Sequence, residues 1–155
     1  MNPTQGYDEN AITLYIRWHS SVKIRQAIGQ LGLIRKVYTE EMARQFIDQE
    51  MPDIVISITG TNMTPFEKIT LEETQPKTFL LFKRDKTKKI PLKSFLSPKE
   101  TQDGSALYLF PRQFEGNPSI ALTDEEIYFV TEIEKLKVRS IFKLSSMMVE
   151  GKLDI

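Results

Sequence analysis

The chain has 155 residues, a length typical of one domain. Its 21 Lys and Arg residues balance its 21 Asp and Glu residues, so the sequence predicts no nucleic-acid partner, and a hydrophobic content of 40% excludes a disordered chain. The absence of cysteine and the presence of one histidine exclude disulfides, iron–sulfur clusters and His-rich metal sites within one chain. Every 18-residue stretch contains a charge, so no membrane span is predicted.

The chain is predicted to begin with a flexible polar leader, residues 1–10, which lacks the basic and apolar regions of a signal peptide. Residues 11–155 are predicted to form a single α+β domain. Residues 11–18 alternate between apolar and polar side chains, which is the period of a half-buried strand. Its apolar face carries Ile12, Leu14, Ile16 and Trp18.

Two short amphipathic helices are predicted after this strand. The first covers about 21–31, with Ser20 or Ser21 as its N-cap and Gly32 as the residue that ends it. Its apolar stripe consists of Ile24, Ala27, Ile28 and Leu31. The second helix begins after the N-cap Thr39 and ends before Pro52, and its apolar face carries Met42, Ala43, Phe46 and Ile47.

The remainder of the chain has the pattern of strands. Residues 53–60 predict a central strand, and 78–84 with 89–95 predict a hairpin whose second strand lies at an edge because of Pro91. Further strands are predicted at 106–112 and 147–155. The segments 126–133 and 136–144 predict a hairpin connected by Glu134-Lys135.

These elements predict an α+β fold: a mainly antiparallel, sandwich-like β-sheet with a helical hairpin inserted after the first strand. A closed β-barrel with the helices as a lid is the alternative. The predicted core comprises Ile12, Leu14, Ile16, Trp18, Ile28, Leu31, Phe46, Ile54, Ile56, Ile58, Leu80, Phe82, Leu107, Leu109, Phe129, Phe142 and Leu144.

The sequence gives little indication of catalysis. His19 adjoins Ser20 and Ser21, but neighbouring strand residues point to opposite faces, so His19 and Ser20 are not expected to form a base–nucleophile pair. No nucleophile-elbow, Walker A or dinucleotide-binding pattern is present in the sequence. Acidic residues cluster around 72–73 and 124–126 without the spacing of a calcium loop. We therefore predict no catalytic, cofactor-binding or metal-binding residues, and no cofactor.

Two further features concern the surface, one with a structural interpretation and one that indicates binding. Five of the seven residues in 83–89 are basic, a composition typical of a hairpin tip or sheet edge that resists pairing. A partner or ligand surface is predicted at Tyr15, His19, Tyr108, Phe114 and Tyr128. The sequence favours a non-catalytic interaction or structural domain with a protein partner. The alternatives are a carrier of a small apolar or peptide ligand between helices and sheet, and a hydrolase that uses His19 or carboxylates.

The C-terminal third has a distinctive pattern. It contains LYLFPR at 107–112, then a strand with FVT, and ends in F-x-L-x-x-M-x-x-x-G-x-L, which begins at Phe142 and ends at Leu153. This pattern, with a Trp-x-Ser segment near the front, resembles a group of uncharacterised bacterial exported proteins. The resemblance implies a bacterial, extracytoplasmic protein, periplasmic or secreted, and it implies no active-site residues.

Overall fold

The computed structural model describes residues 13–155, so the predicted leader and Ile12 lie outside the described residues. The described chain forms two four-stranded antiparallel sheets, two short hairpins and four helices. The helices are α1 (Val22–Ile34), α2 (Glu40–Asp48), α3 (Thr64–Glu67) and α4 (Leu71–Thr74). Single 3₁₀ turns lie at Gln75–Lys77, Leu122–Asp124 and Leu144–Ser146.

Twelve strands, several of them very short, are present in the described part of the chain. Those of the two large sheets are β1 (Leu14–Trp18), β2 (Ile54–Gly60), β3 (Phe79–Phe82), β4 (Lys89–Pro91), β5 (Ser94–Leu96), β6 (Ala106–Phe110), β9 (Glu126–Ile133) and β10 (Leu136–Lys143). The two short hairpins pair β7 (Gln113–Phe114) with β8 (Asn117–Pro118), and β11 (Met148–Val149) with β12 (Lys152–Leu153).

Sheet A has the strand order β1-β2-β6-β5, and sheet B has the order β10-β9-β3-β4. Their inner faces share one apolar core, in which the Phe129 ring of sheet B lies 5.1 Å from the Tyr108 ring and 6.1 Å from the Phe110 ring of sheet A. The predicted α+β class, with its early helical hairpin, is confirmed. The sheets are separate, so the barrel alternative is wrong.

The predicted N-caps of α1 and α2 are confirmed, but the predicted end of α1 is wrong. The Ser21 hydroxyl accepts a hydrogen bond from the Ile24 N–H, and the Thr39 hydroxyl accepts one from the Met42 N–H. Helix α1 continues through Gly32 to Ile34, and Lys36 takes the left-handed conformation that the sequence assigned to Gly32. Gly32 serves packing instead, since a Cβ there would overlap the Tyr38 ring.

Two charged side chains fix the helical hairpin by capping helix ends. The buried Arg25 donates from Nη1 to the carbonyls of Ile47 and Gln49, each at 2.6 Å, at the C-terminus of α2. Asp154 accepts hydrogen bonds from the Val22 N–H at 2.7 Å and the Lys23 N–H at 2.9 Å at the N-terminus of α1. The last residues of the chain therefore fasten the first helix.

The predicted core is correct for β2, β3 and β9 but out of phase on β6. Ala106, Tyr108 and Phe110 face the core, while Leu107 and Leu109 lie half-buried on the opposite face. The run ALYLF is apolar at every position, so its period cannot identify the inner face. Among the predicted core residues of the helices, Ile28 and Phe46 are half-buried, and Leu31 is 42% exposed.

The predicted strand 89–95 is two strands in different sheets. β4 pairs with β3 at the edge of sheet B, where Pro91 was expected, and β5 pairs with β6 in sheet A. The connection between β3 and β4 contains most of the basic run, and three of its cations meet the acidic segment 124–126. The ion pairs are Lys83–Glu126, Arg84–Glu125 and Lys88–Asp124, at 3.6, 3.5 and 3.7 Å.

The C-terminal pattern has a structural role. Leu144 is buried, Met147 and Leu153 pack against the core, and Gly151 takes a positive φ in the β11–β12 turn. The Phe142 ring lies edge-on to the Trp18 ring at 5.0 Å. The two regions that carry the resemblance thus meet in space.

Candidate ligand-binding groove

The outer face of sheet A carries polar side chains where β1 and β2 lie side by side. Because side chains alternate along a strand, the face of β1 opposite Trp18 presents Tyr15 and Arg17. His19, in the turn that follows β1, lines the same groove. Arg17 pairs with Ser57 in the antiparallel register, and Tyr15 pairs with Thr59, so the hydroxyls of β2 extend the same face. These side chains form the floor of a groove.

Helix α1 forms the wall of this groove. The helix buries Arg25, Gly29 and Gly32. Gly29 lies against Ala43 and Ile47 of α2, and Gly32 lies against the Tyr38 ring in the connection between the two helices, so both glycines allow close packing on this side of α1. The apolar stripe therefore turns toward the edge of the sheet rather than into the core. Ala27, Ile28 and Leu31 line a groove of ≈ 530 Å³ together with the floor. We call this feature the α1 groove.

Arg17 is the central charged group of the α1 groove. It is half-buried, and its Nη1 donates one long hydrogen bond of 3.4 Å to the Thr59 hydroxyl. Among residues 13–155, no carboxylate forms an ion pair with Arg17. A partly desolvated guanidinium is stabilised by a carboxylate partner, so the geometry leaves room for one from a ligand.

Asp103 and Arg35 also line the groove. One carboxylate oxygen of Asp103 accepts hydrogen bonds from the Ser105 N–H at 3.0 Å and from the Ser105 hydroxyl at 2.6 Å. These bonds hold the acidic residue in its loop. Arg35, just past the end of α1, adds a second cation to the lining. The groove therefore combines two guanidiniums, one carboxylate and an apolar wall.

His19 lies at the inner end of the groove and is 6% exposed. Its ring packs edge-on against Phe46 at 5.6 Å. Burial has the largest influence on the pKa of His19 and lowers it below its usual value. The carboxylate of Asp103 opposes this shift, and the guanidiniums of Arg25 and Arg17 add to it. The pKa of His19 therefore lies below its usual value, and its ring is held by packing against Phe46.

The hydroxyls beside His19 are committed to structure. The Ser20 hydroxyl accepts a hydrogen bond from the Val55 N–H at 3.1 Å, and the Ser21 hydroxyl donates to Asp154 at 2.7 Å. Asp103 is the one carboxylate among the described residues that line the groove. Among residues 13–155, no three His, Asp or Glu side chains are grouped to hold a metal ion, and no helix is long and apolar enough to span a bilayer.

The structure brings together two of the five residues predicted for a binding surface. Tyr15 and His19 both line the α1 groove. Tyr108 is fully buried in the core, so its predicted place at a surface is wrong. It lies on the inward-facing side of β6, which the unbroken apolar run did not reveal. Phe114 lies near Lys88 in a depression between two hairpins, and Tyr128 lies on the outer face of sheet B.

Reasoning from the sequence missed Arg17, Ser57, Thr59 and Asp103 as groove residues. Arg17 carried a usable signal, because it shares a strand face with Tyr15 and lies two residues before His19. The other three depend on pairing between segments about 40 residues or more apart, which no local pattern reveals. No protein-family model, curated protein or solved structure matches this chain.

Proposed function

We propose that this protein is a non-catalytic binding domain whose α1 groove takes a small carboxylate with a short apolar chain. The observation that carries the proposal is the half-buried Arg17, which has no carboxylate partner among residues 13–155 and lies at the floor of the groove. A guanidinium presents donors in a planar fork that matches a carboxylate. The ligand's carboxylate lies against this fork.

The apolar part of the ligand lies against α1. Leu31 is 42% exposed and Ile28 is half-buried, so both offer apolar surface that the fold leaves in contact with water. Covering that surface contributes about 25 cal/mol per Å² of apolar area. The volume of ≈ 530 Å³ lies within the range of small-molecule sites.

The hydroxyls select the polar end of the ligand. Thr59 lies half-buried on the floor with Arg17, and its hydroxyl can donate one hydrogen bond to a carboxylate oxygen. Ser57 also lines the floor but is 2% exposed. Asp103 in the lining disfavours ligands with several negative charges, because like charges repel strongly in a partly enclosed site. The proposal is therefore a monoanion rather than a phosphate ester. This ligand is one form of the carrier that the sequence left open.

The test is a titration of ¹⁵N-labelled protein with sodium hexanoate, followed by two-dimensional NMR, with 1-hexanol as the uncharged control ligand. We expect saturable shifts of the amides of Ile28, Ser57 and Thr59, with a Kd of about 0.01–1 mM. Hexanol should bind at least about tenfold more weakly, because it lacks the charge that meets Arg17.

Two variants locate the site. Arg17→Gln shortens the side chain only modestly and removes its charge, so it should weaken hexanoate binding about tenfold or more. Arg44→Gln, on the exposed side of α2, is the matched control and should bind like the parent protein. Equal binding by both variants, or saturable shifts confined to residues outside the groove, would refute the proposal.

A further inference from the structure

The outer face of sheet B carries a second cleft, independent of the α1 groove. Its apolar floor is formed by Leu81, Tyr128 and Val130, which lie on one face of β3 and β9 because Leu81 pairs with Tyr128 in register. The cleft encloses ≈ 680 Å³. In the part of the chain that the structure describes, no helix lines this cleft. We call it the sheet B cleft.

Four cations surround this floor: Lys83, Lys86, Lys89 and Arg139. Lys83 is paired with Glu126 at 3.6 Å, whereas the other three have no ion pair among residues 13–155. Arg139 lies over the Tyr128 ring at 4.5 Å, and Lys89 lies over the Phe79 ring at 5.2 Å. The cleft is thus an apolar depression with a positive rim.

Strand β10 borders the sheet B cleft through Arg139. Strand β10 is the terminal strand of its sheet, and its outward residues include Lys137 and Arg139. Lysines on such an edge discourage pairing between copies of a neutral or basic strand, but they attract an acidic one.

Charge complementarity and shape select among anionic partners. Nucleic-acid bases need free aromatic faces for stacking, and here Arg139 and Lys89 already cover the rings of Tyr128 and Phe79. Insertion into a membrane surface needs several protruding apolar groups. Here Leu81 and Val130 are half-buried below the cations, and the exposed apolar side chain beside them is Ile141, which pairs with Tyr128 and is 54% exposed. A recessed apolar floor fits a single apolar side chain flanked by carboxylates.

We propose that the sheet B cleft binds an extended acidic peptide segment of a protein partner. One apolar side chain of the segment lies on Leu81, Tyr128 and Val130, and its carboxylates contact Lys86, Lys89 and Arg139. The sheet B cleft is separate from the α1 groove, so peptide binding in the cleft does not depend on whether the groove binds a carboxylate.

The test uses a synthetic, end-capped peptide with alternating Glu residues and one central Leu, added to the ¹⁵N-labelled full chain. The amides of Leu81, Tyr128 and Val130 should shift with saturation, and the shifts should diminish as salt is raised. A peptide with Lys in place of each Glu is the control, and it should cause no saturable shift.

The double variant Lys89→Gln/Arg139→Gln should weaken acidic-peptide binding about tenfold, because it removes two exposed ion pairs that these cations would form with the peptide's carboxylates. Lys99→Gln, an exposed lysine elsewhere, should leave binding unchanged. Equal affinity of the double variant and the parent, or equal binding of the Lys peptide, would overturn the proposal. A shift caused by single-stranded oligonucleotide or by anionic phosphatidylserine vesicles, but not by the acidic peptide, would overturn it as well.

Discussion

The two faces of sheet A differ in their side chains and in how closely they are covered. The inner face meets sheet B in a closed apolar core, where Ile56, Ile58 and Tyr108 are 0% exposed. The outer face meets α1 across a groove, and its floor carries an arginine, a histidine and hydroxyls. The same strands β1 and β2 supply both faces, because successive side chains alternate. The comparison shows that one strand pair can hold the fold with one face and offer a binding site with the other.

The difference arises from how the covering element is anchored. Sheet B contributes large side chains that interlock with those of sheet A, as in the contacts of Phe129 with two aromatic rings. Helix α1 is held at its ends and along its glycine face, by Asp154 at its N-terminus and by the contact with α2. The middle of α1 therefore does not close on the sheet, and Ile28 and Leu31 stay accessible to a ligand.

The largest expected contrast compares Phe129→Ala with Leu31→Ala. Phe129 is fully buried between the sheets, so its truncation leaves a cavity and should cost about 3–5 kcal/mol of the free energy of unfolding. Leu31 is 42% exposed in the groove, so its truncation should cost less than about 1 kcal/mol. Urea denaturation measures both. Similar losses for the two variants would show that the groove wall is part of the core.

The second prediction concerns the glycine face of α1. Gly32→Ala introduces a methyl group that overlaps the Tyr38 ring, so it should cost about 1–3 kcal/mol through displaced packing. Gly29→Ala places a Cβ 3.1 Å from Cδ1 and 3.3 Å from Cγ1 of Ile47, a tight contact that a small shift of this half-buried side chain relieves. The gain in helix propensity of about 1 kcal/mol should offset that cost and leave the variant close to neutral. Thermal melts would distinguish them. Equal melting temperatures would contradict the packing of Gly32 against the Tyr38 ring.

The third prediction concerns the cap that Asp154 provides at the N-terminus of α1. Asp154→Asn should lower the free energy of unfolding by about 1–2 kcal/mol at pH 7, because the cap loses its charge at a helix N-terminus. Glu150→Gln, an exposed carboxylate in the neighbouring hairpin, is the control and should have no measurable effect.

The pH dependence of this cap has a definite sign. Burial alone would raise the pKa of Asp154, but hydrogen bonds from Lys23, Ser21 and Val22 outweigh it and lower the pKa below its usual value of 3.8. The cap's contribution is therefore present above about pH 4 and is lost as the pH falls through the lower, folded-state pKa. The Asp154→Asn protein should lack this acid-dependent loss. An identical loss in both proteins would place the acid sensitivity elsewhere.

The smallest predicted effect is a pH dependence of the free energy of unfolding near neutral pH, which we assign to His19. The pKa of His19 is lowered by burial, so the unfolded chain binds a proton more readily than the folded one. The contribution of neutral His19 to the free energy of unfolding is present above pH 6.5, the usual pKa of histidine. This contribution declines as the pH falls below 6.5 toward the lower, folded-state pKa. His19→Gln should remove this slope in urea denaturation between about pH 7 and 5. A slope that persists in the variant would contradict the assignment to His19.

Much of the fold could be predicted because its signals are local. Ser21 and Thr39 cap their helices as expected, and the alternation on β1 placed Trp18 in the core. The Glu134-Lys135 connection between β9 and β10 also follows from the pattern on either side of it. These features depend on residues within a few positions of one another, where period and capping chemistry are informative.

The groove could not be predicted in the same way. Its wall depends on Gly29 and Gly32 being the contact face of α1, whereas hydrophobic periodicity assigns burial to the stripe of Ile28 and Leu31. Its floor depends on the register of Arg17 with Ser57, and its lining includes Asp103 from a distant loop. Tyr108 was assigned to a surface because an unbroken apolar strand has no period to reveal its inner face.

The most direct test of ligand binding in the α1 groove uses His19, which lines the groove, as an NMR reporter. His19 is the one histidine in the sequence, so its ring protons give an isolated NMR signal. Burial is the main cause that lowers its pKa, and the guanidinium of Arg17 makes a smaller contribution in the same direction. A carboxylate bound to Arg17 neutralises that influence. We predict that saturating hexanoate raises the pKa of His19 in the parent protein and leaves it unchanged in the Arg17→Gln protein. The same pKa with and without hexanoate in the parent protein would contradict the account.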